Sequence, residues 1–260
     1  MVTENFDFDG RVVLVTGAGR GLGAAYARAF AASGANVAVH DAGLELDGSG
    51  GDRSLADAIA GEVGGFACYE DLRDEGACSR LVEGALDRFG RLDVVVHNAG
   101  LLVFEQLEDA NQSWESVRKV SLDAPFHITR AAWPAMKRQG YGRFVFTTSG
   151  RAMRLKDSVA GMAAYNAGKM GAFGLMLVVA AEGAAHGIRA NAISPVAETR
   201  MLQRKARAGE LAPELVTPAV LYLSSARCDI SGMVVTASGG KFGTVSWQPD
   251  AEFTFAGEAV

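Results

Sequence analysis

Residues 11–23 read RVVLVTGAGRGLG. Val12 to Val15 is an unbroken apolar run, the pattern of a strand covered on both faces. It passes straight into a glycine turn. Leu22 then opens LGAAYARAFAASG, which carries apolar residues at helical spacing and stops at Gly34. Strand, glycine turn and helix make the first half of a βαβ unit.

The rest of the chain repeats that unit. NVAVHDAG, GFACYEDL, LDVVVHNAG, GRFVFTTSG, IRANAISP and MVVTAS read as six further strands. Between them LADAIAGEVGG, CSRLVEGALDRFG, a long stretch from Ser113 to Gln139, AAYNAGKMGAFGLMLVV and the region Pro213 to Ser225 read as helices. Pro125 and Pro134 interrupt the long stretch and predict kinks. The alternation predicts an α/β fold: a Rossmann-like, doubly wound parallel sheet of about seven strands with helices on both faces. No linker or internal repeat splits residues 1–260, so a single domain is expected. The segment DGSGGDRS reads as the most flexible loop, and the tail 243–260 as a segment packed on a neighbouring subunit.

Composition narrows the function classes. Hydrophobic residues make up 49% of 260, with 32 Gly and 6 Pro, which excludes a disordered or collagen-like chain. The net charge of -5 gives no reason to expect nucleic acid. Cys68, Cys78 and Cys228 are odd in number and lack metal-like spacing, which predicts buried thiols in a reducing compartment and no metal site. The N-terminus MVTENFDFDG is polar, unlike a signal peptide, and the apolar run around Leu175 to Ala181 stops at Glu182, too short for a bilayer. A soluble, cytoplasmic enzyme without a membrane partner is expected.

The glycine turn carries chemistry. Gly17, Gly21 and Gly23 are spaced G-x-x-x-G-x-G, with Arg20 and Leu22 between them. Such glycines let the backbone turn sharply and approach a pyrophosphate, to which the helix N-terminus offers free N–H groups. Asp41 ends the second strand, where a carboxylate accepts hydrogen bonds from ribose hydroxyls and repels a 2′-phosphate. That favours NAD. Arg20 pulls the other way, since a cation there can meet a 2′-phosphate. Asp71, after the third strand, is placed to meet the adenine amino group; taken alone it is an ordinary loop acid.

Tyr165 and Lys169 stand four apart at the start of an otherwise apolar helix, so they project from one face. With the glycine loop, the NAG at Asn98, Ala99 and Gly100, and Ser149 after the fifth strand, they make the chain resemble the short-chain dehydrogenase/reductase family over nearly its whole length. Within it, GRVVLVTGAGRGLG, VHDAG, ITRAAWPAM, YGRFVF and GGKFGTVSW resemble the branch formed by (3R)-hydroxyacyl-CoA dehydrogenase domains of peroxisomal multifunctional enzymes of type 2.

The resemblance implies hydride exchange between NAD and a secondary alcohol or ketone. Tyr165 would carry the proton. A free phenol, with pKa about 10, is a poor base near neutrality, and lowering it by about 2 to 3 units needs roughly 3 to 4 kcal/mol. An ammonium one turn away, Lys169, is read as the source. Lys169 would also hold the nicotinamide ribose, and Ser149 would orient the reacting oxygen. The resemblance adds Leu22, Leu72, Pro195, Val196 and Thr199 to the cofactor contacts. Three departures stand out: Ser121 where an Asn commonly supports a proton relay, a longer spacing from Ser149 to Tyr165 within GRAMRLKDSVAG, and Val196 where Gly is common.

A substrate lid is expected around residues 197–212. Arg200, Arg204, Lys205 and Arg207 there, with Arg151, Arg154 and Lys156 in the active-site loop, fit an anionic small-molecule substrate such as a CoA thioester, and equally a solvated helix face. A 3-hydroxyacyl-CoA is the first expectation and a hydroxysteroid or steroid-derived CoA ester the second. A catalytically silent NAD-binding regulator is the reading from another class, which an intact Ser149, Tyr165 and Lys169 disfavours. The all-round apolar helix after Lys169 predicts a homodimer or homotetramer.

Overall fold

The computed structural model describes residues 6–202 and 207–247. Its one sheet has the order β3-β2-β1-β4-β5-β6-β7-β8. The strands are β1 (Val12–Thr16), β2 (Asn36–His40), β3 (Phe66–Cys68), β4 (Val94–His97), β5 (Gly142–Thr147), β6 (Ile188–Val196), β7 (Val234–Ser238) and β8 (Lys241–Val245). The first seven are parallel, as expected, and β8 returns antiparallel to β7. Strand order reverses between β1 and β4, which opens a crevice at their carboxyl ends, the usual ligand position in such sheets.

Side chains alternate across the sheet with period two. Val12 and Leu14 enter one core, Val13 and Val15 the other. Helices α1 (Gly21–Ala32), α2 (Ser54–Val63) and α8 (Thr217–Ser224) cover the second core with Tyr26, Phe30, Ile59 and Val220. Helices α3 (Glu75–Phe89), α5 (Ala124–Gln139) and α7 (Ala163–Gly183) cover the first with Leu81, Ile128 and Met176. Cys68, Cys78 and Cys228 are buried and free.

Four expectations need correction. The segment from Gly243 begins inside β8, joined to β7 through Gly239 and Gly240, both at positive φ. KFGTV is almost entirely exposed, so no alternation of apolar residues announces it. Trp247 packs on Phe173 of the chain's own α7, ring centroids 4.6 Å apart; residues 248–260 lie outside the described residues.

The DGSGGDRS loop is tied down. Leu44 and Gly50 form a bridge, Glu45 N donates to Ser49 O at 2.7 Å, and Asp47 Oδ1 accepts from the N–H and hydroxyl of Ser49. Leu102 N donates to Leu46 O across the crevice at 2.9 Å. Its turn-forming residues are spent on defined turns.

The helix at 112–139 runs as α4 (Gln112–Arg118), a π turn over Lys119–Asp123 and α5. The π turn widens the ladder where Pro125 offers no N–H, and Pro134 is accommodated within α5. Finally, α7 with its following turn spans Ala163–His186, long and apolar enough by length and composition to cross a membrane. Counting only the run that ends at Glu182 underestimates it. Ala164, Gly168, Ala172, Met176 and Val179 are buried in the protein, as in a core helix.

Candidate active site

The glycine loop is shaped by contacts only glycine permits. Gly17 and Gly21 sit at φ 65° and 53°. A Cβ on Gly23 would stand 2.1 Å from Gly17 O, and one on Gly21 3.2 Å from Thr199 Cγ2. Asn98, at the end of β4, buttresses the loop: its Nδ2 donates to Thr16 O and Gly17 O, both at 3.0 Å. The backbone N–H groups of Asn98 and Ala99 donate to Thr16 Oγ1 at 3.1 Å. Arg20 provides no side-chain cap for α1, which leaves first-turn N–H groups for an anion. These features fit a dinucleotide pyrophosphate.

A cleft of ≈ 380 Å³ opens over this loop, lined by Gly17, Arg20, Gly21, Leu22, Asp41, Leu72, Asn98, Ala99, Gly100 and Thr199. Gly23 lies beneath it. Asp41 also braces two loops, accepting from Gly19 N at 2.9 Å and Gly43 N at 2.8 Å. Asp71 is elsewhere. Its carboxylate is taken by Arg73, whose Nη2 donates at 2.6 Å, and this pairing holds its pKa below the usual carboxylate value. Arg73 reaches on to Gly48 O at 3.0 Å, so Asp71 anchors the loop, and it does not line this cleft. The cleft also includes His40, Leu44, Glu198 and Met201, which the sequence reading does not single out, and Arg200, which it places beside the substrate. His40 is buried with Nε2 2.8 Å from Glu70 O, and burial lowers its pKa.

A second cleft, ≈ 720 Å³, shares Leu22, Asn98, Gly100 and Thr199 with the first and adds Ser149, Tyr165, Lys169, Pro195 and Val196. Ser149 follows β5 and caps the short helix α6 (Gly150–Met153), its Oγ accepting from Arg151 N at 3.3 Å. Tyr165 lines the same cleft as Ser149, near enough for Ser149 to lower its phenol pKa. Lys169 is buried with Nζ 5.7 Å from the Tyr165 ring centroid. Burial lowers the Lys169 pKa to about 8. Burial also raises the Tyr165 phenol, opposed by the nearby Ser149 side chain and the Arg151 charge. The sequence predicts a net lowering by Lys169; in the chain alone the net shift is upward, and the groups that oppose burial are Ser149 and Arg151 rather than Lys169. Ser121 lies in the π turn with its Oγ buried and unpartnered, close enough that a Cβ on Gly168 would be 2.7 Å from Ser121 Cβ. It therefore abuts α7 next to Lys169.

The basic residues separate. Arg151 and Arg154 line the second cleft, but Arg154 pairs with Asp157 at 2.5 Å. Arg151 has no carboxylate partner among the described residues; its Nη1 lies 3.7 Å from Met162 Sδ. Lys156 and Arg207 line neither cleft. Arg200, expected beside the substrate, lines the first cleft and pairs with Glu45. Arg204 and Lys205 lie outside the described residues.

A glycine loop at the switch point of a doubly wound sheet, joined to a cleft holding Ser149, Tyr165 and Lys169, defines a class of dinucleotide-binding oxidoreductases. The chain belongs to the short chain dehydrogenase family, whose sequence pattern matches residues 11–210. It is 41% identical over 252 residues to peroxisomal multifunctional enzyme type 2 of Mus musculus, covering 93% of this chain and 33% of that protein, so it spans a third of that relative's length. It is 34% identical over 260 residues to D-threitol dehydrogenase of Mycolicibacterium smegmatis, covering 92% and 96% of the two chains. The crystal structure of a short chain dehydrogenase from Mycobacterium avium superposes with TM-score 0.81 at 36% identity, covering 96% of this chain and 89% of that one.

Proposed function

We propose that this oxidoreductase is NAD-dependent and acts on the alcohol or ketone of a 3-hydroxyacyl-CoA. The observation that carries the reading is the convergence of Ser149, Tyr165 and, one helical turn on, buried Lys169 in a cleft that adjoins the glycine-loop cleft. NAD, when bound, supplies the hydride acceptor. Gly17, Gly21 and the α1 N-terminus would hold its phosphates, Asp41 its adenosine ribose, and Lys169 the nicotinamide ribose.

Tyr165 Oη and Ser149 Oγ would both hydrogen-bond the substrate oxygen. In ketone reduction Tyr165 donates its proton to that oxygen, a role a raised phenol suits. In alcohol oxidation Tyr165 accepts the proton, so it must first be unprotonated. Lys169 stays charged below about pH 8 and favours that form. Ser121, abutting α7 beside Lys169, would be the residue through which a proton relay passes. Arg151, a cation without a carboxylate partner among the described residues, supports a substrate with an acceptor oxygen near the reacting carbon, as a thioester has.

A neutral hydroxysteroid is the second reading, favoured by the apolar wall of Leu102, Val159, Met162 and Leu202. We also propose a homodimer or homotetramer in the cytoplasm. Trp114, Phe126, Leu177 and Val178 are exposed on α4, α5 and α7 and would be covered by a second copy. Sedimentation giving a single 27.2 kDa species would count against this.

The deciding experiment follows nicotinamide absorbance with NAD against 3-hydroxyacyl-CoAs, hydroxysteroids and tetritols. Turnover of a 3-hydroxyacyl-CoA is the expected result. Turnover confined to a steroid or a polyol overturns the acyl-CoA reading.

A further inference from the structure

Two arginines from distant parts of the chain meet at the mouth of the first cleft. Arg20, in the glycine loop, donates Nη2 to Leu44 O at 2.9 Å. Arg200, after β6, donates Nη2 to the same oxygen at 2.8 Å. Glu45 joins both: its Oε2 is 3.0 Å from Arg200 Nη1 and its Oε1 3.6 Å from Arg20 Nη1. Arg20, Asp41, Leu44 and Arg200 all line this cleft. The two guanidiniums oppose one another, and the Arg200 pKa is lowered by burial first and by the Arg20 charge second. Their approach therefore depends on the acceptors between them.

Paired guanidiniums beside a ribose-binding carboxylate are the chemistry that binds a phosphate monoester. Here one carboxylate engages both. Glu45 is also held in place: its N–H donates to Ser49 O, its carbonyl accepts from Gly48 N at 3.1 Å, and the Leu44–Gly50 bridge closes the loop.

We propose that Glu45 is a specificity-determining residue for the cofactor: by pairing with Arg20 and Arg200 it withholds from a 2′-phosphate the two guanidiniums that share a cleft with Asp41. The inference rests on the reading that this cleft takes NAD through Asp41, and adds a second device to it. Asp41 repels the 2′-phosphate, and Glu45 occupies the cations that would offset that repulsion.

Glu45→Gln keeps the side chain's size and removes its charge. Calorimetric titration of the full chain with NAD and with NADP should show NADP tightening by about tenfold in Glu45→Gln, the scale of one charge-assisted hydrogen bond, with NAD within about twofold. Adding Arg200→Met to Glu45→Gln should abolish the gain. An unchanged NADP affinity, an equal shift for both cofactors, or a gain that survives loss of Arg200 overturns the proposal. The parent protein tests the underlying reading separately: NADP binding tighter than NAD there sinks the NAD assignment, while the change on Glu45→Gln still reports on Glu45.

Discussion

Gly23→Ala places a methyl group where the structure has no room. Its Cβ would stand 2.1 Å from Gly17 O, 2.7 Å from Asn98 Nδ2 and 2.8 Å from Ala18 Cα. Unstrained carbon contacts lie at about 3.5 to 4.0 Å, so the Gly17 carbonyl would have to retreat by about 1 Å or more. That carbonyl also accepts the Asn98 amide at 3.0 Å, so the retreat costs a hydrogen bond. Overpacking of this kind costs about 1 to 3 kcal/mol and the lost bond about 1 more, a total of about 2 to 4 kcal/mol. At about 2 to 4 °C per kcal/mol for a chain of this size, the melting temperature should fall by about 4 to 16 °C. Cofactor affinity should fall too, because the displaced carbonyl belongs to the loop proposed to hold the phosphates. Gly61 is the internal control. It lies in α2 with nothing within 4 Å of a Cβ, and Ala there should stabilise by about 0.5 to 1 kcal/mol. Scanning calorimetry and NAD titration measure both variants. If Gly23→Ala melts within about one degree of the parent and binds NAD equally well, the account of the glycine loop is wrong.

Asp41→Ala should narrow the difference in affinity between NAD and NADP by calorimetric titration, and should lower the melting temperature, since two backbone N–H groups lose their acceptor. Arg151→Met should raise KM for a 3-hydroxyacyl-CoA by about tenfold and leave KM for a neutral secondary alcohol nearly unchanged, the loss expected for one charge-assisted hydrogen bond; equal losses on both would remove Arg151 from substrate recognition. In ketone reduction, kcat/KM should fall as pH rises through about 8, because burial depresses the Lys169 pKa to that value and the ammonium is lost above it. A profile flat to pH 10 would show that the Lys169 charge is not needed.

The sheet was legible because its strands are nearly continuous apolar runs and its turns carry glycine, two signals that agree along the chain. β8 was not: KFGTV lies on an edge, exposed, and owes its place to pairing with β7 and to the Gly239–Gly240 turn. Asp41, Ser149, Tyr165 and Lys169 could be placed because strand ends and helical spacing put them at the crevice. Side-chain pairing was beyond reach. Nothing in the order of residues says that Arg73 takes up Asp71, or that Arg200 turns toward Glu45, 155 positions away. Tyr165 shows the same limit from the energetic side. Spacing reveals the neighbouring ammonium, but the phenol's pKa depends also on how deeply the folded chain buries it.

The central claim is that Tyr165 moves the proton between protein and substrate in an NAD-dependent reaction. Its most direct test compares parent and Tyr165→Phe in the oxidation of a 3-hydroxyacyl-CoA, with NAD affinity measured on both. The account predicts that kcat falls by about 100-fold or more, the scale of lost acid–base catalysis, while NAD binding stays within about twofold. A Phe variant that keeps most of its turnover would contradict it.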